Sequence, residues 1–290
     1  MAVANISWGL MAPLSKNVML DGTISYLSLV AYRLAGAAIA FWVASLFIKK
    51  EKVLRRDFLF IFAAALFAII LNQGVFIMGV SYTSPINASI ITTLLPIMAM
   101  AISAVYLKEP ITFKKLTGVI IGGAGAAIII VSSYGTAAAG GTKNNLLGIA
   151  LCFMAQFSYA IYFVIFKQFV EKYSPITLMK WMFLFSMISY IPFTWHEVWS
   201  VDYTAIPISI YRDIAIIVFG STFLSYLMMP IGQKNLRPTV ATMYNNVQPI
   251  VASIAAAAMG LDTFGPIKAS AIGLVILGVY IVNKSKARDQ

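Results

Sequence analysis

Apolar runs of roughly twenty residues recur along the whole chain, separated by short polar segments. A helix that crosses a bilayer needs about that length. The pattern predicts ten spanning helices, at 1–19, 25–48, 58–80, 85–107, 115–132, 146–168, 175–195, 213–233, 238–260 and 266–283. Two longer polar connections interrupt the series, SSYGTAAAGGTKNN at 132–145 and HEVWSVDYTAIPISIYRD at 196–213. The first run has no basic leading region and no clear small-residue cleavage site, and further runs follow it, so it reads as a span and not as a signal peptide. It begins at Met1 without a polar lead-in, and the natural reading frame is expected to start a few residues upstream.

Composition turns this pattern into a class. The chain is 60% hydrophobic and 11% charged, against about 25% charged residues in a soluble domain. A soluble surface cannot be built from so few charges, and the lipid bilayer is the solvent that fits. The net charge of +11 does not indicate nucleic acid. It sits in short clusters between apolar runs, KKEKVLRR (49–56), KEPITFKK (108–115) and KSKAR (284–288), as expected of segments facing anionic head groups.

With the N-terminus placed in the cytoplasm, the inside segments hold Lys49, Lys50, Lys52, Arg55, Arg56, Lys108, Lys114, Lys115, Lys167, Lys172, Lys234, Arg237, Lys284, Lys286 and Arg288. The outside segments hold Lys143, Arg212 and Lys268. That bias predicts both termini inside. One cysteine, Cys152, and one histidine, His196, leave no disulfide framework, no multi-cysteine zinc site and no expected cofactor or metal.

The chain also repeats. Shifted by 153 residues, SPINASIITTLLPI (84–97) lies over RPTVATMYNNVQPI (237–250), bringing Pro85 onto Pro238, Ala88 onto Ala241 and Pro96 onto Pro249. Gly79 meets Gly232, Glu109 meets Asp262 and Gly125 meets Gly278 in the same register. A shift of 151 brings Ser7, Trp8, Gly9 and Lys16 over Ser158, Tyr159, Ala160 and Lys167. The expected organisation is a first five-helix repeat at 1–132, a linker at 133–145, a second repeat at 146–283 and a basic tail at 284–290. Five crossings change sides, so the second copy enters from the opposite face. The expected fold class is therefore all-α integral membrane, ten helices as two inverted repeats, with a site near the midplane where the halves meet.

Polar residues inside hydrocarbon are costly and turn inward. Here they come in pairs across the repeat: Asn5 with Gln156, Asn72 with Ser225, Gln73 with Tyr226, Thr92 with Asn245, Thr93 with Asn246 and, as aromatic walls, Trp8 with Tyr159. These are the expected pathway residues. Pro85 and Pro238 open their helices, where a missing N–H costs nothing. Pro96 and Pro249 are expected to kink helix interiors. Arg33 and Lys180 fall inside predicted spans and are candidate anion contacts, the alternative being that they snorkel to the head groups. Every carboxylate falls at a predicted helix end or in a loop, so the expectation is a facilitator or a carrier coupled to protons indirectly. Gly118, Gly122 and Gly125, with weaker counterparts Gly273 and Gly278, are expected to support close helix packing.

These features together resemble the EamA-type transporters of the drug/metabolite transporter superfamily. The resemblance rests on SWG…K in the first span, YTSPINASIITTLLPI, LKEPITFKKLTGVIIGGAGAAIII (107–130), SYAIYFVIFK and LRPTVATMYNNVQPIVA, and it covers essentially the whole chain. GLDTFGP (260–266) departs from the usual Leu-x-Glu pattern, with Asp262 keeping the acidic character. The resemblance implies a path lined by the first, third, fourth, sixth, eighth and ninth spans. The leading expectation is a multi-pass carrier of the bacterial inner (plasma) membrane, with a monomer as one expected state, moving amino acids or similar small polar metabolites outward; the resemblance itself names no substrate. A small-solute channel or facilitator, a scaffold and a membrane enzyme are the competing readings. The last lacks a catalytic set, with one boundary histidine and no mid-span acid.

Overall fold

The computed structural model describes residues 2–106, 108, 112–138, 144–235, 245 and 247–284. Regular structure among them is helical, with no strand. We label the helices α1 (Ala2–Val18), α2 (Tyr26–Ala44), α3 (Asp57–Tyr82), α4 (Pro85–Tyr106), α5 (Phe113–Ala138) and α6 (Asn145–Ile165). A short helix at Lys167–Lys172 follows, then α7 (Pro175–Trp199), α8 (Ile208–Ile231), α9 (Val247–Ala258) and α10 (Pro266–Lys284). Among the described residues α2, α3, α4, α6, α7 and α8 are long and apolar enough to cross a membrane, and shorter apolar helices cover Val247–Ala258 and Pro266–Ile281. The result is a multi-pass membrane protein. α8 begins at Ile208, five residues ahead of the expected start, so Asp213 lies about one and a half turns inside a helix and is buried.

Local chemistry sets the helix starts. Ser25, Ser84 and Ser174 each accept a hydrogen bond from the backbone N–H three residues on, at Ser28, Asn87 and Thr177. Pro85 and Pro175 follow their caps directly, where the proline ring fits the first turn. Pro96 and Pro249 are the two prolines expected inside helices. The chain breaks at Thr93–Leu94, and Pro96 is the second residue of a new helical piece, Leu95–Tyr106. Pro249 is the third residue of α9. The interruption of α4 falls within the turn ahead of Pro96, where the proline has no N–H to offer, and residue 246, ahead of α9, lies outside the described residues. Two other irregularities were not foreseen: π-helical segments at Leu66–Gly74 in α3 and Ile216–Leu224 in α8.

The helices pack in a pairwise pattern. α2 lies on α7, α5 on α10, α1 against α8 and α9, and α6 against α3 and α4. The α5–α10 crossing is close because Gly118 and Gly122 face Gly278. Rings of Phe41 and Phe183 stack at 5.3 Å where α2 meets α7. Outward-facing side chains such as Ile39, Phe193 and Phe219 are exposed and apolar, the surface that lipid covers. Trp195 and Trp199 sit exposed together near the end of α7, consistent with an aromatic anchor at the head groups.

Candidate functional site

Where α1, α3, α4, α6, α8 and α9 converge, the interior does not close. A cavity of about 50 Å³ remains, room for a few waters at about 10–15 Å³ each. Its walls include Trp8 from α1, Asn72 and Gln73 from the π segment of α3, Thr92 from the end of the first piece of α4, and Gln156 and Tyr159 from α6. Tyr226 of α8 and Asn245, just ahead of α9, complete this set. Eight of the expected pathway residues are therefore brought to one place. α2 also contributes, through Arg33. The remaining wall is Met11, Ala12, Phe76, Ser89, Leu95 and Gln248.

The other expected site residues lie elsewhere. Asn5 is fully buried and accepts from Gln248 Nε2 at 2.7 Å, tying α1 to α9 behind the cavity. Ser225 is buried between α8 and α1, its hydroxyl donating to the Ala4 carbonyl at 3.2 Å. Thr93 turns its hydroxyl onto the Ile90 carbonyl at the helix break. Lys180 is not beside Arg33; its ammonium lies over the rings of Trp42 (5.1 Å) and Trp181 (5.9 Å), away from the cavity. Asn246 lies outside the described residues.

Sequence reasoning missed Gln248 and Thr222. Gln248 bridges two cavity helices, with Thr92 Oγ1 at 3.1 Å and Asn5 Oδ1 at 2.7 Å. Its repeat partner is the apolar Leu95, so pairing polar with polar passed over it. The usable signal was its spacing of three from Asn245, which puts both on one helical face. Thr222 accepts from Arg33 Nε at 3.0 Å and donates to the Ile217 carbonyl at 2.9 Å. No repeat pairing pointed to it.

Electrostatically the cavity is neutral with one exception. Arg33 is the one charged side chain among the lining residues, and it is 1% exposed. Its two terminal nitrogens have no hydrogen-bond partner, and neither does Asn245 Oδ1. Trp8 meets Tyr226 and Tyr159 edge-to-face at 5.6 and 6.4 Å, forming an aromatic wall. Nucleophile, base and metal-ligand constellations are absent from this lining, and no group of three or more His, Cys, Asp or Glu side chains occurs among the described residues.

Two buried carboxylates stand outside the cavity, each joining helices from opposite ends of the sequence. Asp57, the first residue of α3, pairs with Lys172 and Tyr173 after α6. Asp57 holds the Lys172 ammonium above its ordinary value. Asp213 in α8 accepts from Asn17 of α1 at 2.8 Å and from Arg212.

The comparisons with known proteins agree with one another. A model of the EamA-like transporter family matches residues 1–131 and 146–284. An uncharacterized transporter of Archaeoglobus fulgidus is 26% identical over 263 residues, 91% of this chain and 90% of that protein. The uncharacterized transporter YyaM of Bacillus subtilis is 27% identical over 263 residues, 89% of this chain and 84% of its own. A solved crystal structure superposes with a TM-score of 0.67 over 96% of this chain and 94% of its own, at 14% identity, a likeness of fold alone.

Proposed function

The chain belongs to the EamA-like transporter family, and from that premise we propose that it exports amino acids or similar small polar metabolites across a bacterial inner membrane by alternating access. The moving parts are two inverted five-helix halves, with both termini in the cytoplasm. One observation carries the reading: a small cavity, walled by amides, hydroxyls and aromatic rings from both halves of the chain. A polar, wet space at the convergence of helices is where a solute can shed its hydration shell inside a membrane. Its small volume supports a carrier in preference to an open pore.

The packing supports the inverted repeat. Exchanging the halves turns the α1–α9 contact into α6–α4 and the α1–α8 contact into α6–α3, while α2–α7 and α5–α10 map onto themselves. The two π segments are of equal length and fall in corresponding helices. Reconstitution into liposomes tests the reading, using labelled amino acids, nucleosides and sugars. Saturable uptake stimulated by solute on the far side, and weakened by Asn245→Ala, is expected. Flux that stays linear with concentration would replace the carrier with a channel.

A further inference from the structure

We propose that Arg33 is the residue that receives the substrate, and that what it receives is a carboxylate. This rests on the carrier reading above and narrows it to one chemical group and one side chain. The guanidinium has five N–H donors. One, on Nε, is committed to Thr222 Oγ1 at 3.0 Å, which fixes the plane of the group. The others, on Nη1 and Nη2, are buried without a hydrogen-bond partner, on a residue that lines the cavity.

A buried ion left without a counter-charge is strongly unfavourable, and proteins either pair it or neutralise it. Arginine keeps its charge in proteins, so neutralisation is closed to it. Among the described residues no carboxylate lines this cavity, and Arg33 forms none of the salt bridges found among them. The missing partner therefore has to arrive from outside. Two parallel N–H groups on a planar fork match the two oxygens of a carboxylate.

The surroundings sharpen this. Tyr226 and the Trp8–Tyr159 wall line the same cavity. Both polar atoms of the Gln73 carboxamide lack partners in this lining, and so does Asn245 Oδ1, an acceptor waiting for a donor. A small solute with a carboxylate and a nearby N–H or O–H donor satisfies Arg33 and Asn245 together. The carboxamide of the same solute would put a donor where the fork needs a second acceptor, and would leave the charge uncompensated.

The test uses the full chain and two readouts. In detergent, acetate is titrated in place of chloride at constant ionic strength, with acetamide as the neutral control. Acetate is expected to raise the unfolding temperature of the wild type, acetamide is not, and Arg33→Gln is expected to lose the response. Without ligand, Arg33→Gln is expected to unfold at a higher temperature than the wild type, because it removes an uncompensated charge; a merely structural arginine would give the opposite sign. In liposomes, leucine, serine and lactate are each compared with their carboxamides. Uptake of the carboxylates is expected to fall about a hundredfold in Arg33→Gln and less in Arg33→Lys, which keeps the charge but not the fork.

Acetate stabilisation that survives in Arg33→Gln, or none in the wild type, overturns the proposal, as does equal competition by the carboxamides. Saturable uptake of neutral solutes alone would overturn it while leaving the carrier reading intact. Acetate binding that depends on Arg33, with no saturable flux of any solute, would do the reverse.

Discussion

Gly278 offers a sharp test of the packing. A methyl group built there would lie 2.5 Å from the Gly122 nitrogen, 2.6 Å from the Gly118 carbonyl oxygen and 2.7 Å from the Gly122 Cα, whereas ordinary contact begins near 3.4 Å. All three neighbours are backbone, so no rotamer can relieve the clash. Gly278→Ala must push α5 and α10 apart by about 1 Å, at the usual overpacking cost of about 1–3 kcal/mol. Gly273, on the same helix, has nothing within 4 Å of the same added methyl. Gly273→Ala is expected to be neutral or to gain up to about 1 kcal/mol from helix propensity. The native Cys152 is the reporter: it is the chain's one cysteine and fully buried, so it reacts with a thiol-reactive dye only on unfolding. At about 2 °C per kcal/mol for a chain of this size, Gly278→Ala should melt about 2–6 °C below the wild type and further below Gly273→Ala. Equal melting of the two variants would refute the close α5–α10 crossing.

Three further expectations follow from named contacts. If the halves are inverted, Asp57 and Asp213 fasten opposite faces, so Asp57→Asn and Asp213→Asn should bias a cysteine placed at Thr92, in a Cys152→Ala background, toward labelling from opposite sides of sealed vesicles. The same direction of bias for both would sink the paired-latch idea. The Lys172 ammonium is held above its ordinary 10.5 by Asp57; its contribution is present below the unfolded-state value and is lost as pH rises through the raised folded value. Tryptophan-monitored melts should accordingly show a full contribution from this pair, unchanged between pH 6 and 9, and a loss in stronger alkali that Lys172→Met lacks. Ser84→Ala removes the acceptor for the Asn87 N–H and should cost about 1 kcal/mol in the same dye assay.

Much of the site was legible in the sequence because pairing polar residues across a repeat is a physical filter. A polar group in an apolar span must have a partner or water, and finding it twice selects positions that face the centre. Asn72, Gln73, Thr92, Gln156, Tyr159, Tyr226 and Asn245 passed that filter and line the cavity. The filter does not separate a wall from a joint. Asn5 and Ser225 also face inward, yet they tie α1 to α9 and to α8. Thr93 sits one residue beyond Thr92, and the step of about 100° per residue carries it off the cavity face. Lys180 and Arg33 looked equivalent by depth; only the fold reveals that Trp42 and Trp181 hold one while the other faces the cavity. The acids were misjudged for a related reason: Asp213 was placed at a helix end because Ile208–Arg212 reads as a polar connection, yet those residues form the first turns of α8.

The two π segments were invisible in the pattern, and together with the break in α4 they explain why the cavity lies where it does. Irregular backbone inside hydrocarbon survives only if each freed carbonyl finds a donor. Here the donors are identifiable. Ser158 donates to the Phe67 carbonyl and Tyr226 to the Ala68 carbonyl, both in the α3 π segment, from helices of the other half. Thr222 donates to the Ile217 carbonyl five residues back, the spacing of a π turn, and the one Ser225 hydroxyl proton is shared between the Gly220 carbonyl, also five back, and Ala4 of α1. At the α4 break, Thr92 and Thr93 donate to the Ser89 and Ile90 carbonyls. The hydroxyls that read as pathway residues therefore do two jobs by position. Those that complete the backbone of an irregular turn permit the turn, and the widened turn in α3 swings Asn72 and Gln73 into the interior. π turns concentrate at functional sites because an extra residue re-aims side chains without ending the helix. On that account the polar residues come first: the irregular backbone exists because hydroxyls are there to satisfy it, and the cavity exists because the irregular backbone keeps the helices from closing.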